Sequence, residues 1–337
     1  MLKYSKGVRK MKKHAIKFLF FLSLLSTTHA LADGQSVPIN YDDISFFEEP
    51  LAISLGPATL NANAIIDQAA QYNSQADEDE YNTFIAGNFK LETELPNSWQ
   101  LGVQYFSRYD RLIDDKYSDN FAVFLSDEWG IISLGNVTRS VTENVRRDRG
   151  VGNAVLGNNN FLGQLDETGA YYAVDFNSYN FSITSDQDGR TEAGLVFEQP
   201  RGVNNYVVGT RLRYGNLSEN NAFDTHADTF GGTLIGEYLH GSLQYDAQIG
   251  YEFIDFDLNN NNNEHVFGAL GARYQYGAYN FSLEGGLGRY NGFNRRAFSF
   301  GTRFDIARGF SFNTGINYIY AKDHDEITTV GSIRYEL

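Results

Sequence analysis

The chain has 337 residues, with 33 Gly, 26 Phe and 22 Tyr beside two Met, five Pro and no Cys, and a formal charge of −15. That acidic balance argues against a nucleic-acid partner, which needs a basic surface, and the missing cysteine excludes disulfides as a source of stability. Mean hydropathy is polar at −0.39 although 15% of residues are aromatic, a mixture that favours pleated strands and tight turns and requires the aromatics to alternate with polar residues.

Residues 1–32 read as a signal peptide. Lys3, Lys6, Arg9, Lys10, Lys12, Lys13 and Lys17 precede the apolar run FLFFLSLL at 18–25, and Ala30-Leu31-Ala32 is a small-residue cleavage site. The run is far shorter than the roughly 20 apolar residues of a spanning helix, so export is expected and anchoring is not. Translation starts at Met1 or at Met11 within MKKHAIK. Seven of the 27 basic residues lie in this segment, so the mature chain carries 20 against 42 acidic residues, a charge of about −22. Residues 33–57, DGQSVPINYDDISFFEEPLAISLGP, form a leader placed in the periplasm or in the lumen of the downstream domain. Beyond residue 32 no apolar run reaches spanning length, so any membrane crossing is made by strands.

Alternation then marks sixteen strand segments, at 58–70, 81–94, 98–110, 119–126, 129–137, 167–176, 178–186, 191–199, 204–215, 226–239, 241–253, 264–275, 278–290, 293–305, 310–321 and 326–337. Links after even-numbered segments are tight, as at Asp127-Glu128, Asn177 and His240-Gly241. Links after odd-numbered segments are mostly longer and acidic, among them QYNSQADEDE, GNLSENNAFD and DFDLNNNNNE. Short turns at one end, longer loops at the other and an even strand count predict an outer-membrane barrel.

Parity assigns the faces. Phe312, Thr314, Ile316, Tyr318 and Tyr320 oppose Ser311, Asn313, Gly315 and Asn317, and Phe298, Phe300 and Phe304 oppose Ser299, Gly301, Arg303 and Asp305. Tyr245, Ile249 and Tyr251 oppose Asp246, Gln248 and Glu252, while Trp99, Leu101, Val103 and Tyr105 oppose Gln100, Gly102, Gln104 and Arg108. A soluble sandwich would bury Arg303, Asp305, Asp246 and Glu252 at several kcal/mol each; a wet lumen removes that cost. The last segment keeps an apolar face of Ile327, Ile333, Tyr335 and Leu337, which packs against lipid. The expected fold is therefore all-β: a transmembrane up-and-down antiparallel β-barrel of 16 strands over 58–337, wide enough for an aqueous channel, with a long loop after the fifth strand folded inward. Tyr276, Tyr279, Tyr318, Tyr320 and Tyr335, near segment ends, suit interfacial girdles.

That loop, residues 137–166, is too long to be an ordinary connection. It carries Arg139, Arg146, Arg147 and Arg149 with Glu143, Asp148 and Asp166, and Gly150, Gly152, Gly157 and Gly163 let it turn tightly. Bent into the barrel it narrows the pore, and its charges select ions because low-dielectric walls strengthen their field. A solvated surface loop is the alternative.

YNTFIAGNFKLETELPNSWQLGVQYF, followed by AVFLSDEWGIISLGN directly before the long loop, resembles the general trimeric porins of Gram-negative outer membranes. The resemblance spans roughly 58–337. It implies passive diffusion of small hydrophilic solutes and ions through a homotrimer set in outer-membrane lipid and lipopolysaccharide. It also implies loop acids Glu143, Asp148 and Asp166 facing the inward wall bases Lys90, Arg108, Arg303 and Arg334. The sequence departs from that pattern at Asn136, where the family commonly has Arg, and at Leu337, where it generally ends in Phe.

No cofactor or metal site is expected. His226, His240, His265 and His324 lie on different strands or turns without ligand spacing. In DFDLNNNNNE the glycine that a calcium loop needs is Asn260, and its twelfth position is Val266. Acidic loops such as residues 77–80 are suited to weak divalent bridging to lipid headgroups. Three functions stand: an open pore, a gated or plugged barrel taking a particular ligand with 33–57 or the Arg-rich loop as gate, and a barrel hydrolase, for which Glu143 or His265 lacks a sequence-evident partner. A non-enzymatic pore is preferred. Inward acids Glu92, Glu94, Asp246, Glu252, Glu284 and Asp305 slightly outnumber inward bases, which predicts a mild cation preference.

Overall fold

The computed structural model describes residues 51–74, 78–96, 98–111, 117–136, 141, 145, 168–201, 204–217, 227–256, 263–290, 292–321 and 324–337. They include the strands β1 (Leu51–Leu55), β2 (Ala58–Asn73), β3 (Glu78–Glu94), β4 (Gln100–Asp110), β5 (Tyr117–Asp127), β6 (Gly130–Asn136), β7 (Thr168–Phe176), β8 (Tyr179–Asp186) and β9 (Thr191–Arg201). The remainder are β10 (Asn204–Leu217), β11 (Ala227–His240), β12 (Leu243–Phe256), β13 (Asn263–Tyr276), β14 (Tyr279–Tyr290), β15 (Phe293–Ala307), β16 (Phe310–Ala321) and β17 (His324–Glu336). From β2 onward each strand pairs antiparallel with its successor, and β17 returns to β2 with Glu336 opposite Ile65 and Thr328 opposite Asn73. The wall is thus a closed sixteen-stranded up-and-down barrel. All sixteen expected segments are present, their ends displaced by a few residues: 264–275 is Asn263–Tyr276 and 326–337 is His324–Glu336.

The two faces differ as parity requires. On β16, Phe312 and Ile316 are exposed outward while Ser311 and Asn313 are buried inward. On β12, Tyr245, Ile249 and Tyr251 point out while Asp246, Gln248 and Glu252 are buried within. Fully burying a large apolar side chain is worth about 1.5–3 kcal/mol. An outer wall carrying Leu270 at 68% and Leu287 at 67% exposure gains that only in a hydrocarbon solvent. Aromatic pairs gather near the tight turns: Trp99 against Trp129, Tyr206 on Tyr238, and Tyr279 on Phe304 at 4.7 Å. Tyr276, Tyr279, Tyr318 and Tyr335 are exposed there and at the opposite end, as interfacial girdles require.

Local chemistry explains the tight end. Two-residue hairpins twist correctly when a residue adopts left-handed φ, and Asn177 (φ 54°) and Gly309 (φ 68°) supply it. At Gly309 a Cβ would also collide with the Glu336 carbonyl of the last strand, so glycine is required twice over.

β1, which lies inside the expected leader, has no counterpart among the segments that alternation marks. It pairs with residues 58–62 of β2, Leu51 opposite Ala62 and Leu55 opposite Ala58. The same edge of β2 carries β17 up to Leu337, whose N–H donates to the Ala64 carbonyl at 2.8 Å and whose carbonyl accepts from the Ala64 N–H. The wall position beside β2 is therefore filled by two segments in succession, β17 and then β1. Without β1 the first residues of β2 would present an unpaired edge at the membrane, where each orphaned backbone group is costly. Deleting residues 51–55 is expected to lower the temperature at which the compact barrel band disappears in a heated detergent gel by roughly 5–10 °C. An unchanged temperature would exclude β1 from the wall.

Candidate pore lining and link

Inward side chains form three charged groups. The first spans the closure seam. Arg334 Nε on β17 donates to Asp67 Oδ2 on β2 at 2.7 Å, and Glu336 Oε1 lies 3.6 Å from Arg334 and 3.3 Å from Arg303 Nη1 on β15. Arg303 Nε also donates to Asp305 at 2.6 Å, and Asn280 Nδ2 donates to the same carboxylate. Asp67 and Glu336 are buried, so the seam is tied on its lumenal side by carboxylates enclosed by their arginine partners and the wall.

The second group lies on β2 to β5. Lys90 Nζ meets Glu92 Oε2 at 2.7 Å and stands over the Phe124 ring at 5.0 Å, while Asn61 Nδ2 donates to the other Glu92 oxygen. Beside it Gln104 Nε2 donates to Asn88 Oδ1 at 2.8 Å.

The third and densest group belongs to β8 through β13. Asp186 accepts from Arg190 Nε and from the Arg190 and Asp188 backbone N–H groups, closing the turn after β8. Glu192 Oε1 accepts from Arg211 Nη2 at 3.0 Å and lies 3.7 Å from Arg213 Nε. Glu252 Oε2 sits 2.9 Å from His265 Nδ1. Arg213 is 2% exposed, and none of its guanidinium nitrogens has a hydrogen-bond partner among the described residues. One carboxylate, Glu192, thus serves two arginines.

The link between β6 and β7 touches this wall. The Val145 N–H donates to the Val141 carbonyl at 3.1 Å, and both valines are buried. A Cβ on Gly194 of β9 would lie 2.5 Å from Val145 and 2.9 Å from Val141, and a Cβ on Gly209 of β10 would lie 3.0 Å from Val145. Both glycines have inward parity, beside buried Glu192, Val196 and Arg211. The valines therefore sit in recesses left by missing side chains on the lumenal wall. They share an apolar cluster with Ile65, Phe106, Phe124, Tyr171, Val196 and Ile235.

Of the residues expected to line the pore, Lys90, Arg303 and Arg334 are inward and already bound to wall carboxylates, with Arg303 and Arg334 brought together through Glu336. Arg108 lies on β4 opposite Ala86, at inward parity and partly buried. Arg139, Glu143, Arg146, Arg147, Asp148, Arg149 and Asp166 lie outside the described residues. Sequence patterning did not single out Arg190, Glu192, Arg211 and Arg213 as a group. The signal was present in TRLRYG, where Arg211 and Arg213 alternate with outward Leu212 and Tyr214. Nor did it single out Val141 and Val145, four residues apart in a link whose charges dominate its composition.

No family model matches the sequence, and no curated protein matches it. Solved structures do match. The trimer form of OmpT, an outer membrane protein of Vibrio cholerae, is 10% identical with a TM-score of 0.69, covering 84% of this chain and 100% of its own. The anion-selective porin from Comamonas acidovorans is 12% identical with a TM-score of 0.65, covering 83% and 100%. A porin refined at 1.8 Å resolution is 12% identical with a TM-score of 0.60, covering 82% and 100%. At these identities the likeness is one of fold, and the chain has the porin fold.

Replacing Arg334 by Gln removes the shared cation from Asp67 and Glu336. Breaking a buried pair from one side is strongly destabilising, and thermal unfolding in detergent should show a loss of about 2–3 kcal/mol, partly recovered when Asp67 is changed to Asn in the same chain. Equal stability of the single variant and the parent would show that the seam lattice contributes nothing.

Proposed function

We propose that the chain is a water-filled diffusion channel for small hydrophilic solutes and ions, set in the outer membrane of a Gram-negative bacterium and exported there by its signal peptide. The observation that carries this is the inverted wall: apolar side chains cover the outside of a sixteen-stranded barrel and ionised ones cover the inside. Barrels of this size leave an aqueous passage. Tight turns face the periplasm and the longer links face outward, following the general asymmetry of such barrels. Lipid and lipopolysaccharide surround the wall, and three copies associate as a homotrimer, a state that one structural neighbour's description also names.

Selection takes place where the link narrows the lumen. Val141 and Val145 hold it against β9 and β10, and its charges, Arg139, Glu143, Arg146, Arg147, Asp148, Arg149 and Asp166, act across the remaining gap toward the wall. Lys90, Arg108, Arg303 and Arg334 contribute from the wall, muted by the carboxylates beside them. With the chain strongly acidic overall, the net preference is weakly for cations.

A gated barrel is the second reading. β1 runs toward the turn end with Leu51 opposite Ala62, and the plug of this reading is the leader ahead of it. Removing residues 33–50 separates the two: an unchanged conductance fits an open pore, and a large increase fits a plug.

In planar bilayers the folded chain should give large, steady steps in groups of three. Neutralising Arg146, Arg147 and Arg149 to Gln should move the zero-current potential in a salt gradient further toward the cation, because their field opposes cation entry. Gly194→Val, which fills the recess under Val145, should change step size and add gating noise. A chain that folds, inserts and stays silent while hydrolysing a substrate would replace the channel with an enzyme.

A further inference from the structure

The outward face of the barrel carries one anomaly. Among the described side chains that point outward from strands, the cations are Arg289 on β14 and Arg296 on β15, both exposed. Neither has a hydrogen-bond or ion-pair partner among the described residues. The other strand cations whose side chains are described, from Lys90 to Arg334, face the lumen.

Register brings the two together. Arg289 pairs with Asn294 and Arg296 with Leu287, so the arginines are diagonal neighbours across one hairpin, with Cα atoms roughly 7–8 Å apart. They stand at the end of the barrel opposite the tight turns. Only residues 291 and 292 join β14 to β15, with Gly292 at φ 84°, so the rim is low at this point. Around and below them the outward wall is apolar: Leu287, Val266 and Phe298 are all exposed. Arginine on a lipid-facing wall is costly at the bilayer centre and nearly free at the interface, so this pair marks headgroup level. Two unpaired guanidinium forks at that depth match phosphate oxygens bidentately, whereas a strongly hydrated ammonium would not.

We propose that Arg289 and Arg296 form a docking site for the phosphate groups of outer-leaflet lipopolysaccharide. The proposal rests on the membrane orientation proposed for the channel, with the link end outward. The outer-leaflet lipid is favoured over phospholipid because the pair stands at the link end of the barrel, which faces outward in that orientation. Its acidic neighbour Glu264, exposed on β13, is the group that a bridging cation would neutralise at the same headgroup.

The test uses the full mature chain folded in zwitterionic detergent, parent against the double variant R289Q/R296Q, with folding verified by heat-modifiable mobility. Binding of bisphosphorylated lipid A, of the same lipid stripped of phosphate and of phosphatidylglycerol is read by native mass spectrometry. The expected result is a roughly thirtyfold weaker affinity of the double variant for bisphosphorylated lipid A, weak binding of the dephosphorylated lipid to both chains, and partial retention in R289K/R296K. Equal binding by parent and double variant overturns the proposal. So does phosphatidylglycerol binding as tightly as lipid A, which would make the ligand an ordinary phospholipid. Conductance of the same preparations keeps the two readings apart: a conducting barrel indifferent to lipid A sinks this site alone, and a silent barrel that binds lipid A through its arginines sinks the channel alone.

Discussion

Backbone pairing in a solvent that offers no hydrogen bonds is the constraint on which this structure depends. In hydrocarbon a strand edge cannot be left open, so the sheet must close, and closure falls on the contact between β17 and β2. The short β1 answers the same requirement. β2 extends beyond the reach of the last strand, and five residues from ahead of the barrel complete the edge that β17 leaves bare. The lumenal lattice of Asp67, Arg334, Glu336 and Arg303 ties this seam from inside, where water remains close enough to temper the cost of ionised groups.

Closure at sixteen strands inverts the usual distribution of polarity. The apolar side chains that would form a core face lipid, and the groups that would normally face solvent line the interior. Polar pairs such as Lys90 with Glu92 and His265 with Glu252 therefore occupy places that in a soluble protein would hold Leu or Val. Their desolvation is partial, which is why so many ionisable side chains are tolerated at low exposure. The outward Arg289 and Arg296 are the counterpart of this rule: on a face that meets hydrocarbon, charge is tolerated only where headgroups begin.

The interior is not uniform. Gly194 and Gly209 remove two side chains from the inner wall, and Val141 and Val145 fill the space. Shape complementarity between glycine recesses and valine methyl groups seats Val141 and Val145 on the wall, beside the charges of Glu192, Arg211 and Arg213. Packing and charge thus meet on the same stretch of inner wall through different residues.

The barrel was legible in the sequence because its signal is local. Alternation with a period of two, repeated in all sixteen segments, shows which residues share a face, and the turn chemistry of Asn177 and Gly309 shows where strands end. Strand number, face assignment and the polar interior are consequences of that pattern alone. β1 was not legible: LAISL is too short to alternate convincingly, and its role appears only from the register that places it on β2 next to β17. Nor was the Arg190, Glu192, Arg211 and Arg213 group, since its members come from a turn and two strands and meet only through register. The pairing of Arg303 with Glu336, 33 residues apart, and of Arg334 with Asp67, 267 residues apart, is likewise a product of closure. Sequence determines the faces because alternation is a property of neighbouring residues. Which charges neutralise one another, and where Val141 and Val145 pack, was decided by tertiary structure, because those contacts depend on how the sheet curls and where its two edges meet.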